Sequence, residues 1–377
     1  MNVGIVGGGQ LARMLALAGY PLDLRFQVLD PASDACAGQV AALLRGDYDQ
    51  ETRLEALADW ADVVTFDFEN VPAEAAHTLE RQVAVYPPAQ ALALAQDRLL
   101  EKTLFWELGI PTPAFTTVAS LKELQAAIER VGLPAMLKTR RLGYDGKGQY
   151  LLREAADADA AWRALGGVPL LLESFIPFER EVSVLAVRGR DGSTACYPLV
   201  ENHHRDGILR LSRAPLAAPE LAREGWNYAR RLLDRLHYVG LLAVEFFVRD
   251  GRLIANEMAP RVHNSGHWTI EGAQTSQFEN HLRAVLGLPL GLTEALGHAA
   301  MINCIGSLPP RAAVLAVPGA HYHAYGKAAR PGRKVGHITL RADTPAALEA
   351  GLEQLLPLAG YRADDFHSPP LAGNPDD

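Results

Sequence analysis

Short apolar runs alternate with stretches of helical periodicity over residues 1–88, a pattern typical of parallel strands connected by helices. Pro87 and Pro88 end the pattern. The predicted strands are Val3–Val6, Phe26–Asp30, Val63–Phe68 and Val83–Tyr86, and the predicted helices are Gln10–Ala18, Glu51–Trp60 and Ala73–Arg81. Residues 1–88 are therefore predicted to form an α/β domain with a parallel sheet.

The pattern changes after Pro88, where helices come first and strands follow. We predict an α+β domain over residues 89–295, a small carboxy-terminal domain over residues 296–367 and a disordered tail over residues 368–377. The main predicted elements after Pro88 are helices at 90–108, 120–131, Pro219–His237 and Ser276–Leu286, with a β-hairpin formed by Leu241–Val248 and Leu253–Met258.

The composition is that of a folded protein with several domains, because 49% of its 377 residues are hydrophobic and 21% are charged. A formal net charge of −8 argues against a global basic field for nucleic acid or anionic lipid. Three widely spaced cysteines favour neither a disulfide framework nor a zinc cluster, and no apolar run approaches the length of a membrane span. We therefore expect a cytoplasmic protein that binds neither nucleic acid nor membrane.

A glycine-rich turn follows the first predicted strand. Gly7, Gly8 and Gly9 open a helix, and Asp30 ends the next strand, as in dinucleotide-binding sites. The same turn would also let backbone N–H groups approach another phosphate, or serve only as a tight connection. Three interpretations therefore remain open: a nicotinamide dinucleotide site, a site for another phosphate and a structural turn.

A second glycine-rich segment, residues 143–149, follows a predicted strand that ends at Lys138. Three glycines alternate with a cation there, the composition of a flexible flap with exposed N–H donors and countercharge for phosphate. An ordinary hairpin loop is the alternative. Lys138 either extends along the edge of the sheet to solvent or binds an anion, and we favour the anion.

Two carboxylates interrupt the apolar strands of the predicted hairpin, Glu245 and Glu257. We expect an odd-length turn at Arg249-Asp250-Gly251, which would place both carboxylates on one face as diagonal neighbours, whereas an even-length turn would separate them. Two adjacent carboxylates without His or Cys nearby favour Mg²⁺. The alternative is an ion pair with Arg261 or another base.

Residues 259–268 combine Arg261, His263, Asn264 and other polar residues in a turn-rich stretch directly after the second carboxylate. Such a stretch is poor in core-forming residues, so it is predicted to line a site. Gly266 argues against a helix on which His263 and His267 would bind a metal. Arg330, Arg333 and Lys334 gather around another turn, either as a phosphate site or as a solvated cluster.

The order of these parts resembles that of ATP-grasp ligases. A lysine strand and a glycine-rich flap precede Glu173-Ser174-Phe175-Ile176, with Glu181, Glu245 and Asn256-Glu257 later in the chain. Three segments, at 143–149, 259–268 and 330–337, are similar to those of the 5-(carboxyamino)imidazole ribonucleotide synthase family, and the similarity extends from Gly7 to about His337. It implies an ATP-grasp fold with a Rossmann-like amino-terminal domain that does not bind NAD.

The resemblance also implies roles for individual residues at the nucleotide. Arg98 and Lys138 would contact phosphates, Glu173–Ile176 adenine and Glu181 the ribose, with His204 and Asn256 nearby. Glu245 and Glu257 would hold Mg²⁺. A third ligand, the Asn usual two residues after the second Glu, is Ala259 here, so a second Mg²⁺ would rely on water or Asn256. The residues implied for the flap are Gly143, Tyr144, Asp145, Gly146, Lys147, Gly148 and Gln149.

The implied reaction is the ATP-dependent carboxylation of 5-aminoimidazole ribonucleotide by bicarbonate through carboxyphosphate, in purine biosynthesis and without biotin. Arg261, His263, Asn264 and Lys138 would be catalytic, and a homodimer is expected. The alternatives are an NAD(P)-dependent oxidoreductase and another ATP-grasp carboxylase or ligase. The residues implied to surround the ribonucleotide are Gln10, Glu69, Tyr144, Lys147, Arg330, Arg333 and Lys334.

Overall fold

The computed structural model describes residues 1–143 and 146–366 of the chain. Two residues of the predicted flap, Tyr144 and Asp145, and the predicted tail at 368–377 lie outside the described residues. No helix in the described part of the chain is long and apolar enough to cross a membrane.

The first sheet is parallel, as predicted, and has the strand order β3-β2-β1-β4-β5. Its third strand was not predicted, because this four-residue segment is only partly buried and shows no clear alternation. The strands are β1 (Asn2–Val6), β2 (Arg25–Asp30), β3 (Ala42–Arg45), β4 (Val63–Phe66) and β5 (Ala84–Val85), and the helices are α1 (Gln10–Gly19), α2 (Glu51–Trp60) and α3 (Ala73–Glu80).

Two helices connect this sheet to the rest of the chain, α4 (Ala89–Ala95) and α5 (Arg98–Glu107). The sequence predicted one helix over this range. Asp97 explains the break, because its carboxylate accepts a hydrogen bond from the backbone N–H of Leu99 at 3.0 Å and so caps the start of α5. The helix that begins there contacts the large sheet.

A small antiparallel sheet follows, with the strand order β6-β9-β7-β8. Its apolar face packs against two helices and buries residues such as Leu124, Leu137 and Leu172. Lys138 lies near the end of β7, and the loop between β7 and β8 contains the predicted flap. The elements are β6 (Phe115–Val118), β7 (Ala135–Thr139), β8 (Gln149–Leu152), β9 (Leu170–Ser174), α6 (Leu121–Val131) and α7 (Ala158–Leu165).

The large sheet has nine strands in the order β15-β14-β10-β12-β13-β16-β18-β17, with β11 beside β10. It continues across residue 295, so the predicted domain boundary there is not a break in the sheet. Its strands are β10 (Arg180–Arg188), β11 (Thr194–Cys196), β12 (Val200–Arg205), β13 (Ile208–Ala214), β14 (Gly240–Arg249), β15 (Arg252–Ala259), β16 (His298–Ile305), β17 (Ala320–Ala324) and β18 (Lys334–Ala342). Its helices are α8 (Pro219–Arg235), α9 (Thr269–Gly272), α10 (Gln277–Leu286), α11 (Arg311–Leu315) and α12 (Pro345–Leu358).

A buried histidine joins the first sheet to the large one. His281 of α10 shares a hydrogen bond with the Thr65 hydroxyl of β4 at 2.8 Å through Nε2, and its Nδ1 accepts the backbone N–H of Leu241 in β14 at 3.1 Å. The apolar residues around it belong to a core that continues from α1 to β14. These contacts fix the first sheet beside the large one and help to form the cavity described next.

Candidate functional site

A cavity of about 660 Å³ lies where the first sheet, the loop after β7 and the large sheet meet. Residues from all three regions line it, although they are far apart in sequence. The structure therefore brings together much of the predicted site. The predicted residues that line the cavity are Gln10, Glu69, Arg98, Gly143, His204, Glu245, Glu257, Arg261, His263, Asn264 and Lys334.

The other predicted residues within the described range do not line this cavity. Arg330 is exposed and Arg333 is partly exposed, so of the three clustered cations only Lys334 lines it. Lys138 and Glu173 are buried. The predicted residues outside the lining are Lys138, Gly146, Lys147, Gly148, Gln149, Glu173, Ser174, Phe175, Ile176, Glu181, Asn256, Arg330 and Arg333.

The hairpin that carries the two carboxylates differs from the predicted one. Arg249 pairs directly with Arg252, so the turn has two residues and the prediction of an odd-length turn is wrong. Asp250 and Gly251 both have positive φ, as a type I′ turn requires. A β-bulge then shifts the register by one residue between Glu245 and Phe246. It makes Glu245 and Glu257 direct cross-strand partners rather than diagonal neighbours.

Basic groups flank the carboxylate pair. Arg98 forms an ion pair with Glu257 at 3.2 Å, and Nε2 of His263 lies 3.7 Å from Glu245. The sequence left open an ion pair between these carboxylates and Arg261 or another base. In the structure the base paired with Glu257 is Arg98. Burial raises the pKa of Glu245 to about 7. The charge of His204 acts to lower this pKa, and the charge of Glu257 acts to raise it. The pair therefore carries electrostatic repulsion that a divalent cation would relieve.

The donor set at this pair fits Mg²⁺. Asn256, the residue without a cross-strand partner at the bulge, has a buried side-chain oxygen that lacks a hydrogen-bond partner. Within residues 1–143 and 146–366, no three His, Cys, Asp or Glu side chains converge as a metal group. Mg²⁺ commonly takes only one or two carboxylates from the protein and completes its octahedron with phosphates and water. A facing pair of carboxylates in the cavity wall matches that preference.

A buried ion cluster lies beneath the pair. Glu173 accepts from Lys138 at 3.1 Å and lies 3.5 Å from the ammonium of Lys102. Burial acts to raise the pKa of Glu173, but the two lysines lower it to about 2. The Glu173 side chain is therefore held by the two lysines, within a strand that pairs on both sides. Sequence reasoning missed Lys102, because a lysine in an amphipathic helix is usually a surface residue.

A second ion pair lies across the large sheet from the carboxylates. His204 of β12 and Glu181 of β10 are joined by a hydrogen bond of 2.8 Å. Burial acts to lower the pKa of His204, but the Glu181 carboxylate raises it to about 9. His204 is therefore a cation at neutral pH, and it brings positive charge to the cavity wall near Glu245.

The amino-terminal glycine-rich turn is filled by carboxylates of the protein itself. Gly8 N–H donates to Asp30 at 2.7 Å, and the N–H groups of Gly9 and Ala12 donate to Asp67 at 2.8 and 2.6 Å. An added Cβ at Gly9 would lie 2.3 Å from a carboxylate oxygen of Asp67. A pyrophosphate at this helix start would meet negative charge on donors already in use. This geometry favours the structural-turn interpretation over a dinucleotide site.

The loop after β15 presents a fixed array of polar groups. Arg261 donates to the carboxylate of Glu69, and His263 hydrogen-bonds to the Ser265 hydroxyl at 2.8 Å. Asn264 exchanges hydrogen bonds with Asn303 of β16 at 2.8 and 3.1 Å. His267 is fully buried beyond the loop, away from the cavity. The side chains of Arg261, His263 and Asn264 therefore reach the cavity together.

Lys327 is a cavity residue that sequence reasoning missed. Its ammonium donates to the side-chain oxygen of Gln10, and its neighbour Gly326 accepts from Gln39 at 3.1 Å. Lys327 lies three residues before the cluster at 330–334, which attracted attention because its cations are dense. Burial of Lys327 lowers its pKa from the ordinary value. Proximity to Gln10 could not have been found without the tertiary structure.

Comparisons with known proteins agree with this arrangement. Residues 103–278 match the family described as ATP-grasp domain, residues 1–96 the ribonucleotide synthetase preATP-grasp domain, and residues 299–351 the phosphoribosylaminoimidazole carboxylase C-terminal domain. An N5-carboxyaminoimidazole ribonucleotide synthase from Pseudomonas aeruginosa is 57% identical over 355 residues, which cover 94% of this chain and 98% of that protein. The chain belongs to the N5-carboxyaminoimidazole ribonucleotide synthase family.

Solved structures of N5-carboxyaminoimidazole ribonucleotide synthases are similar to this chain over almost its whole length. The Thermus thermophilus enzyme has a TM-score of 0.92 at 59% identity, covering 96% of this chain and 99% of that one. An Aspergillus clavatus enzyme in complex with ADP and 5-aminoimidazole ribonucleotide has a TM-score of 0.89 at 32% identity, covering 95% and 98%.

Membership of the N5-carboxyaminoimidazole ribonucleotide synthase family confirms the predicted fold class and the predicted class of enzyme, an ATP-dependent ligase that forms a carbon–nitrogen bond. Members of the family carboxylate 5-aminoimidazole ribonucleotide at the expense of ATP in purine biosynthesis. The predicted activity is thus supported over the NAD(P) oxidoreductase alternative. The predicted domain boundaries and residue roles stay predictions.

Proposed function

We propose that this cavity joins bicarbonate to the exocyclic amine of 5-aminoimidazole ribonucleotide, with ATP and Mg²⁺ as cosubstrate and metal. One observation carries the proposal: the facing carboxylates Glu245 and Glu257 share a cavity with Arg261 and Lys334. A paired-carboxylate metal site suits phosphoryl transfer, and the cations suit two anionic partners, a phosphorylated intermediate and a phosphorylated substrate.

ATP is assigned to the face of the small sheet beside the cavity, outside its lining, with the phosphates directed at the carboxylate pair. Lys138 approaches the phosphates, and Glu173 holds its ammonium in place. Arg98, which pairs with Glu257, neutralises phosphate charge from the opposite side. Glu245 and Glu257 would hold Mg²⁺, which when bound supplies charge neutralisation at the transferring phosphoryl group. Ser174–Ile176 and Glu181 are assigned to adenine and ribose.

The first step is the attack of a bicarbonate oxygen on the γ-phosphorus of ATP, which breaks the bond to the β-phosphate oxygen and releases ADP. Bicarbonate is a weak electrophile, so this activation precedes bond formation to nitrogen. Lys138 and Arg98 stabilise the charge of the transferring group, a contribution of position and electrostatics rather than covalent chemistry. The product is carboxyphosphate.

The second step forms the carbon–nitrogen bond. Arg261 holds the carboxyphosphate dianion through its guanidinium, and Glu69 fixes the orientation of that guanidinium. His263 and Asn264 orient the carboxyl group while the substrate amine attacks it and inorganic phosphate leaves. Burial and the charge of Arg261 hold the pKa of His263 well below its usual value, so its ring is neutral. Nδ1 accepts the backbone N–H of Ser265 at 3.3 Å, which leaves Nε2 as a hydrogen-bond donor, and the departing phosphate takes up the amine proton.

The ribonucleotide is assigned to the side of the cavity that faces the first sheet. Gln10 and Glu69 come from that sheet's carboxyl-terminal edge, and Lys327 and Lys334 come from the region of β17 and β18. The two lysines would bind the substrate phosphate. We also propose that the protein acts in the cytoplasm as a homodimer, which light scattering in solution tests.

A stoichiometric assay tests the proposed function. Released ADP and carboxylated product are measured together while bicarbonate, Mg²⁺ and 5-aminoimidazole ribonucleotide are each omitted in turn. We expect product only when all are present, with one ADP per product. Glu257→Gln keeps the side-chain shape but removes the charge, and it should abolish turnover in a folded protein. ADP release that does not respond to Mg²⁺, or near-full activity of Glu257→Gln, would overturn the metal assignment.

A further inference from the structure

Strand β15, which carries Glu257, is the edge of the large sheet. Its inner side pairs with β14, so its outer backbone groups need partners from elsewhere in the protein. The segment before β6 supplies one, since the Pro111 carbonyl accepts the N–H of Ala255 at 2.7 Å. Side chains of α5 supply those on either side of Glu257.

Glu101 of α5 accepts a hydrogen bond from the backbone N–H of the residue that follows Glu257. Its Oε1 accepts the backbone N–H of Met258 at 2.6 Å, and only 2% of the Glu101 residue is exposed. Arg98, three residues earlier on the same helical face, forms the ion pair with the Glu257 carboxylate. One helix face therefore fixes both the side chain of Glu257 and the peptide group after it.

Lys102 donates hydrogen bonds to the backbone carbonyls of the two residues before Glu257. Its ammonium donates to the carbonyl of Asn256 at 2.7 Å and to that of Ala255 at 3.3 Å, and the side chain is fully buried. The same ammonium lies 3.5 Å from Glu173, the partner of Lys138. Lys102 thus connects the bulged strand with the carboxylate that orients the phosphate lysine.

We propose that Glu101 is a positioning residue of the metal site: its bond to Met258 holds the bulge and keeps Glu257 facing Glu245, while Lys102 anchors the residues before it. This inference rests on the proposed assignment of Mg²⁺ to the carboxylate pair. A bulge leaves backbone groups without ladder partners, and it persists only where other groups satisfy them. Without the Glu101 acceptor, a buried N–H is unpaired and the regular register, which turns Glu257 away, becomes competitive.

The decisive variant is Glu101→Leu, which removes the acceptor at similar volume. We expect the Mg²⁺ concentration for half-maximal ADP release to rise about 10- to 100-fold, because partners of metal ligands contribute about that much to metal affinity. The KM for 5-aminoimidazole ribonucleotide should change less than about 2-fold. Independently of turnover, calorimetry should show a matching loss of the Mg²⁺-dependent part of ADP affinity.

Two further variants separate positioning from general stability. Glu101→Gln keeps an oxygen acceptor for Met258, so its Mg²⁺ midpoint should move less than about 3-fold. Thr112→Val is the matched control, because Thr112 donates to Ala255 of the same strand at 3.1 Å without touching the residues beside Glu257. Its Mg²⁺ midpoint should equal that of the wild type. Amide exchange in the peptide containing Met258 should be faster in Glu101→Leu alone.

A folded Glu101→Leu protein with the wild-type Mg²⁺ midpoint would overturn the inference, as would an equal shift in Thr112→Val. If Glu101→Leu does not fold, Glu101→Asp keeps the carboxyl group and shortens the reach by one methylene. It should also raise the midpoint, and an unchanged value would overturn the inference. Failure of the proposed function looks different, because ADP affinity of the wild type would then not depend on Mg²⁺ at all.

Discussion

Arg261 and Glu69 form a part-buried ion pair between the loop after β15 and the carboxyl-terminal edge of the first sheet. Although burial acts to raise the pKa of Glu69, the charge of Arg261 and its hydrogen bond lower it. The pair is therefore ionised at neutral pH and joins two regions that would contact different substrates. Because Glu69 holds the Arg261 guanidinium at Nε, the direction of its terminal nitrogens is fixed.

This relationship predicts how Arg261→Ala should fail. Carboxyphosphate would still form but would not be held, so ADP should be released in excess of carboxylated product, whereas the wild type couples them one to one. Glu69→Gln should uncouple the steps more weakly, since the guanidinium loses its anchor but keeps its charge. Parallel measurement of ADP and product checks both variants. Arg223→Ala, which breaks an exposed ion pair with Glu220, is the control. Equal losses of ADP and product in Arg261→Ala would contradict the role.

The cation cluster gives a second prediction, because its members differ in position. Lys334 lines the cavity, whereas Arg330 is exposed outside the lining. A charge-assisted hydrogen bond contributes about 1.5 to 3 kcal/mol, so Lys334→Ala should raise the KM for 5-aminoimidazole ribonucleotide roughly 10- to 100-fold. Arg330→Ala should raise it less, and the ATP KM should stay constant in both. Steady-state kinetics in each substrate decides the matter. A shift confined to ATP would assign Lys334 to the nucleotide.

The filled glycine-rich turn leads to a prediction about both ligand binding and stability. The fluorescence of NADH at micromolar concentration should not change when the protein is added. Asp67→Ala should lower the free energy of unfolding by about 2 to 3 kcal/mol, because two backbone N–H groups lose a charged acceptor. Asp62→Ala is a matched control, since Asp62 accepts only one exposed backbone bond, from Asn2. Tight NADH binding, or equal effects of both variants, would contradict this interpretation.

His281 predicts part of the acid sensitivity of the fold. Burial lowers its pKa to about 4 in the folded protein, whereas an unfolded histidine titrates near about 6.5. As the pH falls through this window, the unfolded chain binds a proton that the folded protein does not, so stability is full above the window and is lost within it. At pH 5 the loss attributable to His281 should be about 2 kcal/mol.

Urea unfolding at pH 7 and pH 5 measures this loss. His281→Gln does not titrate, so its stability should change less between the two pH values than that of the wild type. His321→Gln, at an exposed position of β17, should keep the wild-type pH dependence. An unchanged pH dependence in His281→Gln would show that other buried histidines account for all of the sensitivity.

Local patterns predicted the first sheet well, because its apolar runs alternate with amphipathic helices. They missed β3, a short and half-exposed strand, and they merged α4 with α5 because the Asp97 cap is one residue within a continuous helical pattern. The shared face of the two carboxylates was predicted correctly from a wrong turn, because the bulge restored what the two-residue turn alone would have lost, but the predicted diagonal relation was wrong.

The parts of the site that sequence could not predict depend on contacts between distant residues. Lys102 and Glu173 meet inside the protein, and Lys327 reaches Gln10 across more than three hundred residues. The local sequences of Lys102 and Lys327 are those of ordinary surface positions. Arg261 illustrates the same limit: its importance was visible in the polar loop, but its partner Glu69 was not.

The bulge at Asn256 determines which face of the hairpin carries Glu257. With its two-residue turn, a regular ladder would place Asn256 opposite Glu245, and the single extra residue replaces it there with Glu257. Deleting Asn256 would remove the bulge and leave Glu257 opposite Glu245 in a regular ladder, whereas inserting one residue between the turn and Glu257 would send the carboxylate to the other face of the sheet. Inserting two residues would return it to the same face, but two positions further along the strand from Glu245. The hairpin that holds the candidate metal ligands can therefore lose its bulge residue, but it cannot gain a single residue in this arm without turning Glu257 away from Glu245.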